Sequence, residues 1–392
     1  MNPHADSAAI QRILPAVLRT PSPENSQPWE IVVEGNILLV YHVAARAKLA
    51  TFPDDLCVLG AGMMAEGIEL AATTEGMSAQ ITFLLDERTD ERPWLRAELT
   101  RTGVAADPLA AALLLRHTDR RRYAGGTLRD PVFRELEAQA RLSAGARLYL
   151  TDRYPAAYQQ QVAAADAASF AWPEMRADLN RWLRFTERSI QRTQDGIPWR
   201  GLLRNPETWW HYLQSRLWWL ETRLDWFPEW LLRLEQRVFD DSGELTPKSF
   251  SDGAGIGCVT TVSGQTADLV AAGRLALRVW LLLNLRGFSF QPMTNLTSIV
   301  YPQWLGHWRL PANLAPAVAN AYAVLQQTFG YSRRETPIFT FRTGLPPAPY
   351  PANARTRRRR AAVRHADQPQ REDTQGDAIQ ARMPDRQSTL PQ

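Results

Sequence analysis

The chain has 392 residues, enough for two typical domains, and 45% hydrophobic with 22% charged residues is a globular balance that excludes a disordered or fibrous protein. Two cysteines, Cys57 and Cys258, exclude a disulfide scaffold, and neither they nor the six scattered histidines show zinc-ligand spacing. The net charge of +4 is mild, so no nucleic-acid partner is expected, and the polar start MNPHADSAAIQR lacks a signal-peptide core, so the expected location is cytoplasmic.

Ile10, Ile13, Leu14, Val17 and Leu18 recur at helical spacing and predict a helix over 8–19. Residues 20–29, TPSPENSQPW, break it. Pro21 and Pro23 forbid a helix, and Ser22, Glu24 and Asn25 put polar side chains on a constrained backbone. Gln27-Pro28-Trp29 opens an apolar strand, and Gly35-Asn36 turns it back into a second strand at 37–42. Such a loop can grip a planar polar ligand, or it can simply connect a helix to a strand. A long helix is predicted over 54–76, with Leu56, Leu59, Met63, Met64 and Ile68 at helical spacing and Gly60, Gly62 and Gly67 permitting close packing. A strand at 79–85 and a helix at 105–115 follow.

The order of elements then repeats. A basic loop at 116–123 leads to a helix at 130–142 and a strand at 147–150. Much later come a strand at 258–262, a helix at 266–286, a loop at 287–295, a helix at 314–328 and a last strand at 337–342. The fold class expected is α+β, with two related halves at 1–112 and 113–345. Within the second half an insertion at about 165–252 holds nine of the fourteen tryptophans. From Trp209 onward its leucines repeat at three and four, and Pro228 should kink the helix. It reads as a helical subdomain, as a lid over a ligand, or, because arginines mix with tryptophans, as a membrane-surface helix. No stretch has the length and purity expected of a transmembrane helix. Residues 346–392, rich in Pro, Arg, Gln and Asp with the run Arg357–Arg360, are expected to be a disordered, solvated tail.

Arg116-His117-Thr118-Asp119-Arg120 places two arginines and a hydroxyl at alternate positions, where they can converge on one phosphate. Arg342 ends the last strand where a second phosphate contact could arise. The loop from Gly287 through Pro292, Met293 and Thr294 could lay backbone N–H groups against a ring. Gly253-Ala254-Gly255-Ile256-Gly257 looks like a dinucleotide fingerprint but precedes a strand, so a Rossmann reading is rejected.

Together, Pro21-Ser22-x-x-Asn25 before Gln27-Pro28-Trp29, Arg116-x-Thr118-x-Arg120, Gly287 through Pro292, and Arg342 resemble the FMN-dependent nitroreductase family. The resemblance covers about 8–345 without the insertion. It implies a nitroreductase-like fold in which Arg116, Thr118, Arg120 and Arg342 neutralise the FMN phosphate. Ser22, Asn25 and Gln27 would hydrogen-bond ring or ribityl groups, and Pro292, Met293 and Thr294 would flank the ring. Family members carry the arginine element upstream of the P-S-x-x-N segment and build their sites across a dimer. Here it follows by about ninety residues, and the second half has no Q-P-W. The chain is therefore similar to the fused, internally duplicated Acg-type subgroup, which implies a pseudo-dimer that is itself a monomer. The implied activity passes hydride from NAD(P)H through FMN to a small nitroaromatic or quinone acceptor. Met293-Thr294, where the family often has Glu or Gly, and the candidate lid admit an alternative: a non-catalytic FMN-sequestering protein.

Overall fold

The computed structural model of the chain describes residues 7–47, 55–202, 213, 216–220, 252–298, 311–359 and 363–365. Helix α1 (Ser7–Val17) buries Ile10, Ile13, Leu14 and Val17 on one face. β1 (Trp29–Glu34) and β2 (Ile37–His42) form the expected antiparallel hairpin, with Gly35 at φ +59° in the turn. α2 (Asp55–Thr73) and β3 (Met77–Phe83) fall close to their expected positions. β4 (Pro93–Arg101) is a strand missing from the sequence reading. Its buried Leu95, Ala97 and Leu99 alternate with Arg96, Glu98 and Thr100, the period of a half-buried strand. The helix expected at 105–115 shrinks to one turn, Ala110–Leu113.

The second series begins with α3 (Asp130–Arg141) and β5 (Ala146–Thr151). Helices α4 (Ala156–Ala171), α5 (Pro173–Trp182) and α6 (Glu187–Thr193) come before β6 (Gly255–Thr261). α7 (Thr266–Leu285), β7 (Ser289–Pro292), α8 (Ala321–Phe329) and β8 (Thr336–Gly344) complete it. β7 corrects the loop expected at 287–295, because Ser289–Pro292 pairs with the end of β8. The helix expected at 314–328 divides into a turn, Ala315–Val318, and α8. Most of the leucine stripe beyond Trp209, including Pro228, lies outside the described residues. Of that stretch, Trp218 is buried against Leu183 and Ile197, and its indole N–H donates to Asn180.

The two main sheets share one plan. The first runs β1-β2-β4-β3 and the second β5-β6-β8-β7, all antiparallel, with one long helix between the second and third strands of each series. Those helices, α2 and α7, pack directly on each other. A Cβ at Gly62 would lie 2.2 Å from the Val270 carbonyl oxygen, and a Cβ at Gly273 2.0 Å from that of Leu59. Each glycine thus admits the other helix's backbone, a reciprocal contact of the kind that two-fold related surfaces make. Arg274 and Arg278 of α7 pair with buried Glu66 of α2 at 3.0 and 2.5 Å. One apolar core continues through both sheets and both helices, and Trp280, Phe290 and Phe341 stack in it at 4.5 and 4.6 Å. Gly257 belongs to this packing, since a Cβ there would sit 2.2 Å from the Phe341 ring. The glycine repeat at 253–257 therefore serves a strand and its aromatic neighbour.

Two expectations change here. Leu56–Thr73 is apolar enough to cross a membrane by length and composition, yet 78% of it is buried inside the fold. Its apolarity comes from packing on several sides. The tail expected to be disordered from 346 has defined positions at 346–359 and 363–365, while 366–392 lie outside the described residues. Val363–His365 forms β9, which adds to the first sheet in parallel with Ile31–Val33 of β1. Composition missed this because the segment is anchored mainly by polar contacts, with few apolar residues such as Ala354 and Val363 reaching the core. Arg359 pairs with Asp195 and Arg364 with Glu30, and the Arg359 backbone N–H donates to Gln27 Oε1 at 2.8 Å.

Candidate functional site

A cavity of about 300 Å³ lies where the 20–28 loop, the 116–120 segment, the end of β7, helix α5 and the C-terminal segment at 350–358 meet. Leu56, Leu59 and Met63 of α2, Trp280 of α7, and Ile338 and Phe339 of β8 supply apolar wall. Its size is at the lower end of small-molecule sites, which are mostly apolar with a few placed polar groups.

The 20–28 loop carries unusual backbone. Glu24, Asn25 and Gln27 have φ of +45°, +54° and +52°, a region that non-glycine residues rarely adopt and that clusters at functional sites. The surroundings hold it there. Ser22 Oγ accepts from the Gln27 N–H at 3.0 Å, and Asn25 Nδ2 donates to the carbonyls of Gly196 and Arg357 at 3.0 and 3.1 Å. Gln27 Nε2 donates to the Gln194 carbonyl at 2.9 Å. Ser22 and Asn25 line the cavity, and Asn25 Oδ1 is buried with no hydrogen-bond partner among the described residues. Gln27 does not line it. Both ends of its side chain are spent on the segments at 194 and 357–359, which corrects its expected ligand role.

The Arg116–Arg120 segment is irregular, and four of its five residues, His117 included, meet the cavity. Arg116, Thr118 and Arg120 line the cavity. Asp119 faces the opposite way, fully buried, and accepts from Arg121 at 2.9 and 2.8 Å and from Ser289 Oγ at 2.7 Å. Burial alone would raise the Asp119 carboxyl, but these donors hold it below the usual carboxylate range. Arg116 is 4% exposed, lies 4.5 Å over the Trp280 ring and donates to the Arg19 carbonyl at 2.8 and 3.1 Å. Arg120 Nη1 donates to the Gly201 carbonyl at 2.9 Å.

Arg342 behaves otherwise than expected. It is 0% exposed, lies outside the cavity wall, and has committed its guanidinium to protein. Nε donates to Gln291 at 2.7 Å, Nη1 to Asp252 at 2.8 Å, and Nη2 to the carbonyls of Arg120 and Arg121 at 2.9 and 2.7 Å. It locks the 116–123 segment to the sheet and is not placed to meet a phosphate. Pro292, Met293 and Thr294 do line the cavity. The Met293 N–H, however, donates to the Thr340 carbonyl at 2.7 Å, so this amide is committed to β8 rather than to a ring.

The residues missed from sequence are Arg355 and Arg358, in the supposed tail, together with Glu24, Asp166 and Asp178. Arg358 enters the cavity with its Nε shut off and without a partner among the described residues. Burial, then Arg116 and Arg19, push it well below the usual guanidinium range, and burial, then Arg19, push Arg116 down to about 9. A guanidinium does not give up its proton at neutral pH, so these directions express the cost of taking positive charge out of water, to which the neighbouring arginines add repulsion. An anion would relieve it. The run Arg357–Arg360 was the available signal, but a charge run is ordinarily solvated.

An Arg358→Met protein should accordingly show two effects of opposite sign. Thermal denaturation of the ligand-free protein should show a gain on the order of 1 kcal/mol from removal of an uncompensated charge. Calorimetric titration should show binding of a phosphate-bearing ligand weakened by roughly 1.5–3 kcal/mol.

No family model matches the sequence, and no curated protein does. Among solved structures, the chain is similar to a putative nitroreductase from Anabaena variabilis, at 11% identity and a TM-score of 0.38, covering 86% of this chain and 88% of that one. It is also similar to a nitroreductase with bound FMN from Desulfitobacterium hafniense, at 10% identity and 0.34, covering 62% and 92%. A third is the NADPH:FMN oxidoreductase of Vibrio harveyi complexed with NAD+, at 9% and 0.34, covering 70% and 86%. TM-scores of this size do not define a shared fold.

Proposed function

We propose that this chain is an FMN-binding oxidoreductase of nitroreductase type that uses NAD(P)H to reduce a small nitroaromatic or quinone acceptor. The observation that carries the reading is a cavity with apolar walls and strained polar backbone, lined by Arg116 and Arg358, which have no ion-pair partner among the described residues. Those residues fit FMN. Arg116 and Arg358, with Thr118, would hold the phosphate, taking the part first expected of Arg342. The apolar side chains of α2, α7 and β8 suit a planar ring, and the unpartnered Asn25 Oδ1 suits a ring or ribityl donor. Bound there, FMN would supply two-electron chemistry by accepting and passing on a hydride. The protein's own part is to bind, orient and exclude water.

The repeated strand order supports reading 1–112 and 113–345 as an internal duplication, with one chain standing in for a dimer. The second reading, a flavin store, draws on one observation. Ile197, Gly201 and Leu202, within the sequence inserted between β5 and β6, form part of the cavity wall, and Arg120 binds the Gly201 carbonyl. A closed lid there would keep nicotinamide out.

Purified protein should bind FMN and turn yellow, and should bind riboflavin at least about tenfold less tightly because the phosphate contacts are missing. Failure to bind either flavin overturns both readings. Bleaching of bound flavin by NADPH or NADH without oxygen favours the reductase; flavin that stays oxidised favours storage.

A further inference from the structure

Glu24 is the residue in the cavity with the least explained chemistry. It sits at φ +45° in the 3-10 turn Pro23–Asn25, a conformation unfavourable for glutamate, and lines the cavity. Its Oε2 is closed off from solvent with no hydrogen-bond partner among the described residues. An ionised carboxylate oxygen left this way is costly, whereas a protonated carboxyl tolerates it far better. The charged groups facing it are Arg120 from the 116–123 segment and Asp178 from α5. Asp166 of α4, His117 and Arg355 line the same cavity.

We propose that Glu24 is the proton donor of this cavity. The inference rests on the flavin reading above. With FMN in the cavity as the hydride source, a bound quinone-type acceptor would take up a hydride while the Glu24 O–H bond breaks and its proton passes to the acceptor oxygen. The acceptor gains one hydride and one proton and leaves as the neutral hydroquinone. The nicotinamide supplies the two electrons, and Glu24 remains as a carboxylate beside Arg120 until water reprotonates it. Arg120, which donates to the Gly201 carbonyl at 2.9 Å and faces Glu24, is placed to stabilise that carboxylate.

The electrostatics agree with this assignment. Burial pushes the Glu24 carboxyl up to about 7; Arg120 pulls against that rise, and Asp178 adds to it. The acid form is the working one, so donation should weaken as pH rises through about 7.

The test separates the two half-reactions in stopped flow. With wild-type holoprotein, reoxidation by a quinone should slow as pH rises through neutrality, while reduction by NADPH should not share that break. Glu24→Gln should slow reoxidation by about 10²-fold or more and lose the break, with FMN affinity unchanged. Asp178→Asn should move the break to lower pH, because a negative charge facing Glu24 is gone. In the ligand-free protein, difference infrared spectra should show a carboxyl C=O band that titrates near neutrality and is missing in Glu24→Gln. Failure of FMN to bind wild type sinks the flavin reading itself. Normal binding and reduction with a reoxidation profile untouched by both variants overturns the proton-donor assignment alone. Should Glu24→Gln fail to fold, an unmoved break in Asp178→Asn, or a wild-type protein with no carboxyl band titrating near neutrality, overturns it equally.

Discussion

Arg342→Met should destabilise the protein by about 3–5 kcal/mol, measured by urea denaturation, because a buried cation is removed from the partners arranged around it. Arg342 is 0% exposed, and its removal strands Gln291 Oε1, Asp252 and two backbone carbonyls. Methionine fills part of the volume but accepts no such role, and the Tyr123 ring, 4.2 Å from the guanidinium, loses its cation as well. Any loss of anion binding should then appear only as the 116–123 segment loosens. A variant of normal stability with weakened FMN binding would instead return Arg342 to the phosphate. The contrast with Arg358→Met is the useful one: Arg342 is buried, fully partnered and stabilises the fold, while half-buried Arg358 keeps a Nε without a partner among the described residues.

The second large effect is expected at the contact between the two long helices. Gly273→Leu should cost about 3 kcal/mol or more, and Gly62→Leu a similar amount, since overpacking at a backbone contact cannot be relieved by a rotamer change. At Gly273 the added Cβ alone would lie 2.0 Å from the Leu59 carbonyl oxygen, and at Gly62 2.2 Å from that of Val270. The helices would have to separate, which opens the shared core and the Leu56, Leu59, Met63 and Trp280 wall of the cavity together. Circular dichroism melts and FMN titration should therefore fail in parallel. Retained stability in either variant would mean that the helices do not meet at these glycines.

Much of the framework was legible because it depends on short-range pattern. The period of α1, the hairpin at Gly35, the apolar length of α2 and α7 and the breaking of helix by Pro21 and Pro23 all follow from neighbours within a few positions. β4 escaped notice because its alternation is carried by only three apolar residues among charged ones. β7 escaped because Ser289, Phe290 and Gln291 form a strand only by pairing with β8. The arginine element and the proline-rich loop could each be recognised as polar segments of unusual composition. What neither could reveal is which polar groups remain free once the chain has folded.

That distinction separates the two levels of information in this protein. By itself the sequence determined the α+β alternation, the repeated order of elements and the two segments that carry polar chemistry, because periodicity and turn chemistry are local. Only the tertiary structure decided that Arg342 and Gln27 are consumed by protein contacts, that Arg358 comes from the supposed tail to stand by Arg116, and that half-buried Glu24 lines the same cavity with its Oε2 closed off from solvent. The physical reason is that the state of a charged or polar side chain depends on the partners and the dielectric around it, and residues hundreds of positions apart supply both.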